Sequence, residues 1–221
     1  MPYRAVPMIN ILVTGWGKYI PNYLTIPVVN NAIGGRSARS FTREGRFTAM
    51  AANVKSGDYV VIEFGHNDGG SLTPTDNGRT DCNPVNNNYA TTCQTTYNGV
   101  AETVQTYYTY LVNAAKLFQS KGATVIISSA TPNNVWETGT WSYSDSRFVT
   151  YCKDAAKATG ATFVDHGLYT ANAYKTLGKD KVNAFYPKDH THTSPAGADA
   201  VAKAFVDALK ATASTLKSYI K

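Results

Sequence analysis

The chain has 221 residues, of which 43% are hydrophobic and 16% charged, with a net charge of +6. That length suits one domain with a substantial buried core, and the composition excludes a disordered chain. No apolar run approaches about 20 residues, so a membrane-spanning helix is excluded, while the basic excess favours an anionic partner.

Residues 8–13 form an apolar stretch too short for a secretory signal core and interrupted by Asn10. Short β-branched runs predict strands at 11–13, 26–29, 59–64, 124–128 and 162–164. Segments of helical period predict helices at 100–119, 144–159 and 196–216. Gly122 and Gly160 each stand between a helix and a strand, where a left-handed residue commonly ends a helix. This alternation predicts an α/β fold with a parallel sheet covered on both faces. In such sheets the loops after the strands build the site, and 34–35, 65–67 and 130–134 fall in such loops. No repeat or linker interrupts the chain, so 1–221 reads as a single domain. The stretch from 69 to 98 is long and irregular for a compact domain, and such loops are often functional or pinned.

Four arginines, Arg36, Arg39, Arg43 and Arg46, fall close together. They suit either a polyanion site or local ion pairs with Glu44, Asp58 or Glu63. No aromatic interleaving accompanies them, which argues against nucleic-acid binding. Of three cysteines, Cys82 and Cys93 bracket a polar segment that cannot order itself by apolar burial. A disulfide there would stabilise the loop by roughly 3 kcal/mol and imply an oxidising compartment. Cys152, on a predicted helix, reads as a small buried hydrophobe.

The chemistry-bearing residues lie at two places. Asp189 precedes His192 by three residues, just ahead of Ser194-Pro195, a helix start. On one face of a turn the carboxylate would fix the imidazole tautomer and leave the other ring nitrogen as a base. Upstream, Gly35 and Asn67 could supply a backbone N–H and a side-chain NH₂ to an oxyanion. Singly, each has a plainer reading: a turn glycine, a loop amide, a helix cap at Asp189. His66 and His166 read as structural or surface residues. Asp189, His190 and His192, joined by His66 or by Asp165 and His166, could alternatively ligate zinc, giving a metal-dependent hydrolase as a minor reading.

Several strings together resemble a known family. Residues 34–40 (Gly-Gly-Arg-Ser-Ala-Arg-Ser), 42–46, 63–70 (Glu-Phe-Gly-His-Asn-Asp-Gly-Gly), 131–134, 136–140 and 189–197 are similar to SGNH/GDSL hydrolases, and more narrowly to rhamnogalacturonan acetylesterases. The resemblance implies a flavodoxin-like three-layer α/β/α sandwich and no cofactor or metal. It implies removal of acetyl groups from an acidic pectic polysaccharide by a secreted, extracellular enzyme. It assigns Asp189 and His192 as acid and base, Gly35 and Asn67 as oxyanion donors, and Cys82–Cys93 as a loop disulfide. Arg36, Arg39, Asp68 and Asn133 are candidate substrate contacts. A monomer without nucleic-acid or membrane partners is expected.

One departure stands out. The family's Gly-Asp-Ser, which carries the nucleophile after the first strand, is missing from these 221 residues. Segment 1–14 is divergent, and the first strand is expected to be absent or replaced. Thr14, Ser37, Ser71 and Ser194 are the hydroxyls at hand. The expectation is an esterase by lineage, inactive or impaired as written, or else a non-catalytic pectin-binding relic. A sequence begun from the wrong place would explain both the lost block and the lost signal.

Overall fold

The computed structural model describes residues 12–221. In chain order its elements are α1 (Ala38–Arg43), α2 (Arg46–Ala51), β1 (Tyr59–Glu63), β2 (Thr92–Tyr97), β3 (Val100–Gln105), α3 (Tyr107–Gln119), β4 (Thr124–Ser128), α4 (Arg147–Thr159), β5 (Thr162–Val164), α5 (His166–Leu177), α6 (Lys179–Asn183) and α7 (Pro195–Lys210). Strands β1, β4 and β5 form a parallel sheet in the order β1-β4-β5, with Val60 opposite Val125 and Ile127 opposite Phe163. The period-two alternation of these strands sorts their side chains between two cores. Val60, Ile62, Val125 and Ile127 pack with α1 to α4, whereas Ile126 and Val164 pack with α7 and the turns around Ile20 and Leu216. Helices therefore cover both faces, as the alternation of elements predicts.

Helix ends follow their capping chemistry. Ser37 caps α1 in a reciprocal box with Ser40, Thr106 caps α3, and Ser194 caps α7 with Pro195 at its first position. Gly160 ends α4 in the left-handed region.

Three expectations require correction. The predicted helix at 100–119 begins only at Tyr107, because residues 100–105 form β3 of an antiparallel hairpin with β2. The irregular stretch 69–98 accordingly ends in a strand. Residues 26–29 form no strand: no described strand pairs with them, and Val29 is 81% exposed. Gly35 thus sits in a loop that follows no strand. Of the strand expected at 11–13, Ile11 lies outside the described residues, and Leu12 and Val13 adopt no regular structure.

Cys82 and Cys93 are disulfide-bonded, fixing the hairpin to the loop before it, and Cys152 is fully buried and free. The arginine cluster resolves into ion pairs. Arg36 and Arg46 both meet Glu44, and Arg43 meets Glu102. Arg39 is entirely buried between Asp76 and Glu102. Asp58 and Glu63, the other partners the sequence suggested, take no part among the described residues.

Candidate active site

Loops at the C-terminal ends of β1, β4 and β5 converge, as the parallel topology requires. After β1, Gly65 takes φ +138°, a region that disfavours any side chain, and a Cβ there would lie 2.9 Å from Ala130 Cβ on the loop after β4. The turn that follows is tied by Asp68, whose carboxylate accepts from Gly65 N (2.8 Å) and from Ala38 N at the start of α1 (2.6 Å). One buried carboxylate thus clamps the Asn67 loop to the segment carrying Gly35. Asp68 is 1% exposed, so it positions these loops and is closed to a ligand. Behind it, Asp81 is buried with neither carboxyl oxygen hydrogen-bonded at standard geometry. Burial pushes both carboxyls above their ordinary range, and the Asp68 charge adds to the shift at Asp81.

Asn67 is half-buried. Its Oδ1 accepts from Arg79 Nη1 at 3.1 Å, and its Nδ2 lies 3.4 Å from the carbonyl of Arg36. A guanidinium only donates, so the contact with Arg79 directs the amide NH₂ to the side of Gly35 and Arg36. Gly35 itself takes φ +72°, is exposed, and has no atom within 4 Å of the position a Cβ would take. Its surroundings admit close approach by a ligand.

The turn before α7 supplies the second half of the site. His192 Nδ1 lies 2.8 Å from Asp189 Oδ2, while Asp189 Oδ1 accepts from the backbone N–H groups of His192 (2.7 Å) and Thr191 (2.8 Å). These donors hold the Asp189 carboxyl well below the usual carboxylate range, the His192 backbone N–H first among them. An ionised Asp189 keeps the proton on Nδ1 and leaves Nε2 as the basic nitrogen. The His192 side chain is 65% exposed, so that nitrogen is open to a ligand.

The loop after β4 joins the halves. Asn134 N donates to His190 O (2.8 Å), Thr191 Oγ1 donates to Asn133 Oδ1 (3.0 Å), and Thr131 Oγ1 lies 3.4 Å from His66 Nε2. Desolvation of the ring, together with the His192 charge, holds the His66 pKa down. A cleft of about 400 Å³ opens beside this loop, bordered by His66, Thr131, Asn133, Tyr143 and Phe148. A second hollow, about 530 Å³, lies under the hairpin and contains none of these groups.

Asp189, His192, Gly35, Asn67 and Asn133 therefore lie on loops tied together by hydrogen bonds, whereas Arg39 and Asp68 are buried and serve structure. Arg36 is half-buried and engaged by Glu44 and the Gly34 carbonyl. Thr14 meets Thr193 through two bonds, Thr14 N to Thr193 O (2.9 Å) and Thr193 Oγ1 to Thr14 O (3.1 Å). Among the described residues no hydroxyl hydrogen-bonds His192; Ser37 and Ser194 are occupied as caps, and Ser71 bonds Thr73. No three metal-ligating side chains converge among the described residues; His190 Nδ1 pairs with Glu137 and His192 Nδ1 with Asp189. His166 is buried, with Nδ1 2.7 Å from Glu63 and Nε2 2.9 Å from the Val201 carbonyl. Glu63 also accepts from Trp16 and Ser128. Burial opposes its ionisation, but the His166 ring and these donors outweigh it and hold its pKa down. Sequence reasoning missed Arg79, which lies outside the arginine cluster and carries no local motif.

Comparison with known proteins follows the same lines. A rhamnogalacturonan acetylesterase of Emericella nidulans is 56% identical over 195 residues, covering 88% of this chain and 78% of its own length. A probable rhamnogalacturonan acetylesterase of Bacillus subtilis, YesY, is 39% identical over 62 residues, 27% of this chain and 29% of its own. Among solved structures, B. subtilis YxiM superposes with a TM-score of 0.68 at 22% identity over 90% of this chain, which spans half of that protein. An acetylxylan esterase of Geobacillus stearothermophilus gives 0.58 at 20% identity, over 94% of this chain and 88% of its own. These two likenesses concern the fold. The sequence model of the GDSL-like lipase/acylhydrolase family matches residues 10–205, and the chain belongs to that family.

Proposed function

We propose that this chain is a carbohydrate acetylesterase whose substrate is acetylated rhamnogalacturonan, the polymer its 56%-identical relative is named for. The observation that carries the reading is the Asp189–His192 pair, linked by Asn133 and Asn134 to the loop after β4, whose Thr131 in turn lies 3.4 Å from His66 beside Asn67. In the reaction, His192 Nε2 takes a proton from the attacking oxygen as that oxygen adds to the acetyl carbonyl carbon. The Gly35 N–H and Asn67 Nδ2 stabilise the oxyanion. Collapse breaks the bond to the sugar oxygen, which receives the proton back from His192. Asp189 holds the imidazole in orientation throughout.

With no Gly-Asp-Ser in these 221 residues, water is the attacking species we assign, and turnover by the chain as written is weak. Systems that lack one member of a serine triad keep roughly 10³–10⁴-fold catalysis over water. The disulfide fits secretion into an oxidising compartment. The absence of any hydroxyl bonded to His192 among the described residues favours a second reading, a pectin-binding protein that no longer turns over.

Acetate release from acetylated rhamnogalacturonan decides between them, measured for this chain, for His192→Ala and for the chain carrying an added Gly-Asp-Ser segment. Weak release abolished by His192→Ala and raised by the added segment is the expected result. Binding without release in every form would establish the binding protein, and release indifferent to His192 would remove the assigned base.

A further inference from the structure

The sequence leaves Arg36 to Arg46 open as either a polyanion site or local ion pairs, and the structure consumes those charges internally. Of the six arginines among the described residues, Arg36, Arg39, Arg43 and Arg46 all lie within 4 Å of a carboxylate. Arg79 and Arg147 have no carboxylate that close among the described residues, and both stand at the Asn67–Gly69 loop. Arg79 donates to Asn67 Oδ1 at 3.1 Å. Arg147 Nη2 lies 3.9 Å from where a Cβ on Gly69 would project, with its guanidinium 5.0 Å from the ring centroid of Phe148, a residue bordering the cleft. The loop that offers the oxyanion amide is thus flanked by two uncompensated guanidiniums.

Their donor inventory is also open. A guanidinium has five N–H donors; Arg79 spends one on Asn67, and the structure shows no hydrogen bond from Arg147 to a described residue. Planar forks with spare donors match a carboxylate in bidentate fashion, more strongly than neutral hydrogen bonds do. Asp145, near Arg147 in sequence, is engaged by Tyr143 and Lys153. We propose that Arg79 and Arg147 bind carboxylates of the polymer's uronate residues, that of the acetylated sugar included, and so set the preference of this site for an acidic over a neutral polysaccharide. The proposal rests on reading the cleft as a carbohydrate-ester site, and it is tested by binding so that it does not depend on turnover.

The probes are an oligogalacturonate and its carboxyl-reduced, neutral counterpart, each titrated calorimetrically into the full chain at low and high salt. The expected result is that the parent prefers the acidic probe, and that salt weakens this preference. Arg147→Gln and Arg79→Gln should each weaken acidic-probe binding roughly tenfold, the loss of one charge-assisted contact, and reduce the preference over the neutral probe. Lys116→Gln, the same charge change on an exposed face of α3, controls for net charge. Arg147 is exposed, so its variant stays informative even if Arg79→Gln disturbs folding. Equal binding of the two probes by the parent, or equal losses in the Lys116 control, would overturn the proposal. Acetate release without arginine-dependent binding would sink this inference alone; arginine-dependent binding without acetate release would sink the catalytic reading and leave the inference standing.

Discussion

Replacing Arg39 by Met should destabilise the fold by about 3–5 kcal/mol, the usual cost of removing one partner from a buried ion pair. All five guanidinium donors are in use. Nη1 and Nη2 meet the two oxygens of Asp76 at 2.9 and 2.6 Å, Nε and Nη2 meet those of Glu102 at 2.9 and 2.7 Å, and Nη1 reaches the Thr80 carbonyl at 2.8 Å. The two carboxylates would fare differently. Glu102 keeps Arg43 at 3.2 Å, but Asp76, with a side chain 1% exposed, would keep only Gly78 N and Thr95 Oγ1. The cost therefore comes chiefly from one buried charge left without a cation, and Asp76→Asn added to Arg39→Met should recover about 1–3 kcal/mol. Urea unfolding at pH 7 measures both. The pH profile gives a second check, because the Arg39 hydrogen bonds hold Asp76, against its desolvation, and Glu102 below the usual carboxylate range. Such groups add stability that is complete above their unfolded pKa, near 4, and is lost as pH falls through the folded value. Acidification below about pH 4 should thus cost the parent more than Arg39→Met. A loss under about 1 kcal/mol, the worth of a surface ion pair, or a double variant less stable than the single one, would refute the argument.

Gly65→Ala should cost about 2 kcal/mol, because φ +138° is unfavourable for a side chain and the new Cβ would press on Ala130; thermal unfolding reports it, and an unchanged midpoint would contradict that backbone geometry. Reducing the Cys82–Cys93 bridge, or replacing both cysteines by Ala, should remove about 3 kcal/mol for an 11-residue separation, read from denaturant midpoints with and without reductant. Burial and the neighbouring Asp68 raise the Asp81 pKa, so this group costs the fold stability as pH climbs from its unfolded pKa, about 4, through the folded value. Asp81→Asn should flatten that decline as pH rises above about 4, and an identical slope in parent and variant would exclude Asp81 as its source.

The parallel sheet was legible because β4 and β5 are short, β-branched and followed or preceded by glycines at helix ends, signals that tertiary context had no reason to override. The hairpin differs from the expected helix although the sequence carries its signal. Asn98-Gly99 is a two-residue turn with φ +52° and +78°, the mirror-image turn that joins twisted strands, but a helical period that continues from α3 back to Val100 hides the strand that follows it. Residues 26–29 have strand composition but lack a described neighbour to pair with, and strand propensity without a ladder does not make a strand. The Asp189–His192 pair was legible because three residues and one turn suffice to form it. Arg79 was not: its role arises from a contact with Asn67, twelve residues away, that no local pattern encodes.

The two halves of the site are held by different means. On the proposed oxyanion side, Asp68 clamps two loops through backbone N–H groups, Arg79 fixes the Asn67 amide, and Gly65 admits a backbone that a side chain would displace. Apart from the Asp68–Gly65 bond within the turn, these contacts reach other segments of the chain, among them α1 and the loop after β4. The base side is local: Asp189 is ordered by N–H groups two and three residues ahead in the same turn, and its ties to the rest of the site run through Asn133 and Asn134 and, next to His192, through Thr193 to Thr14. Preorganised donors act only if the base is held in register with them. Under the proposed roles, register between His192 and the Gly35–Asn67 side therefore depends on the loop after β4, which touches both through Asn133, Asn134 and Thr131.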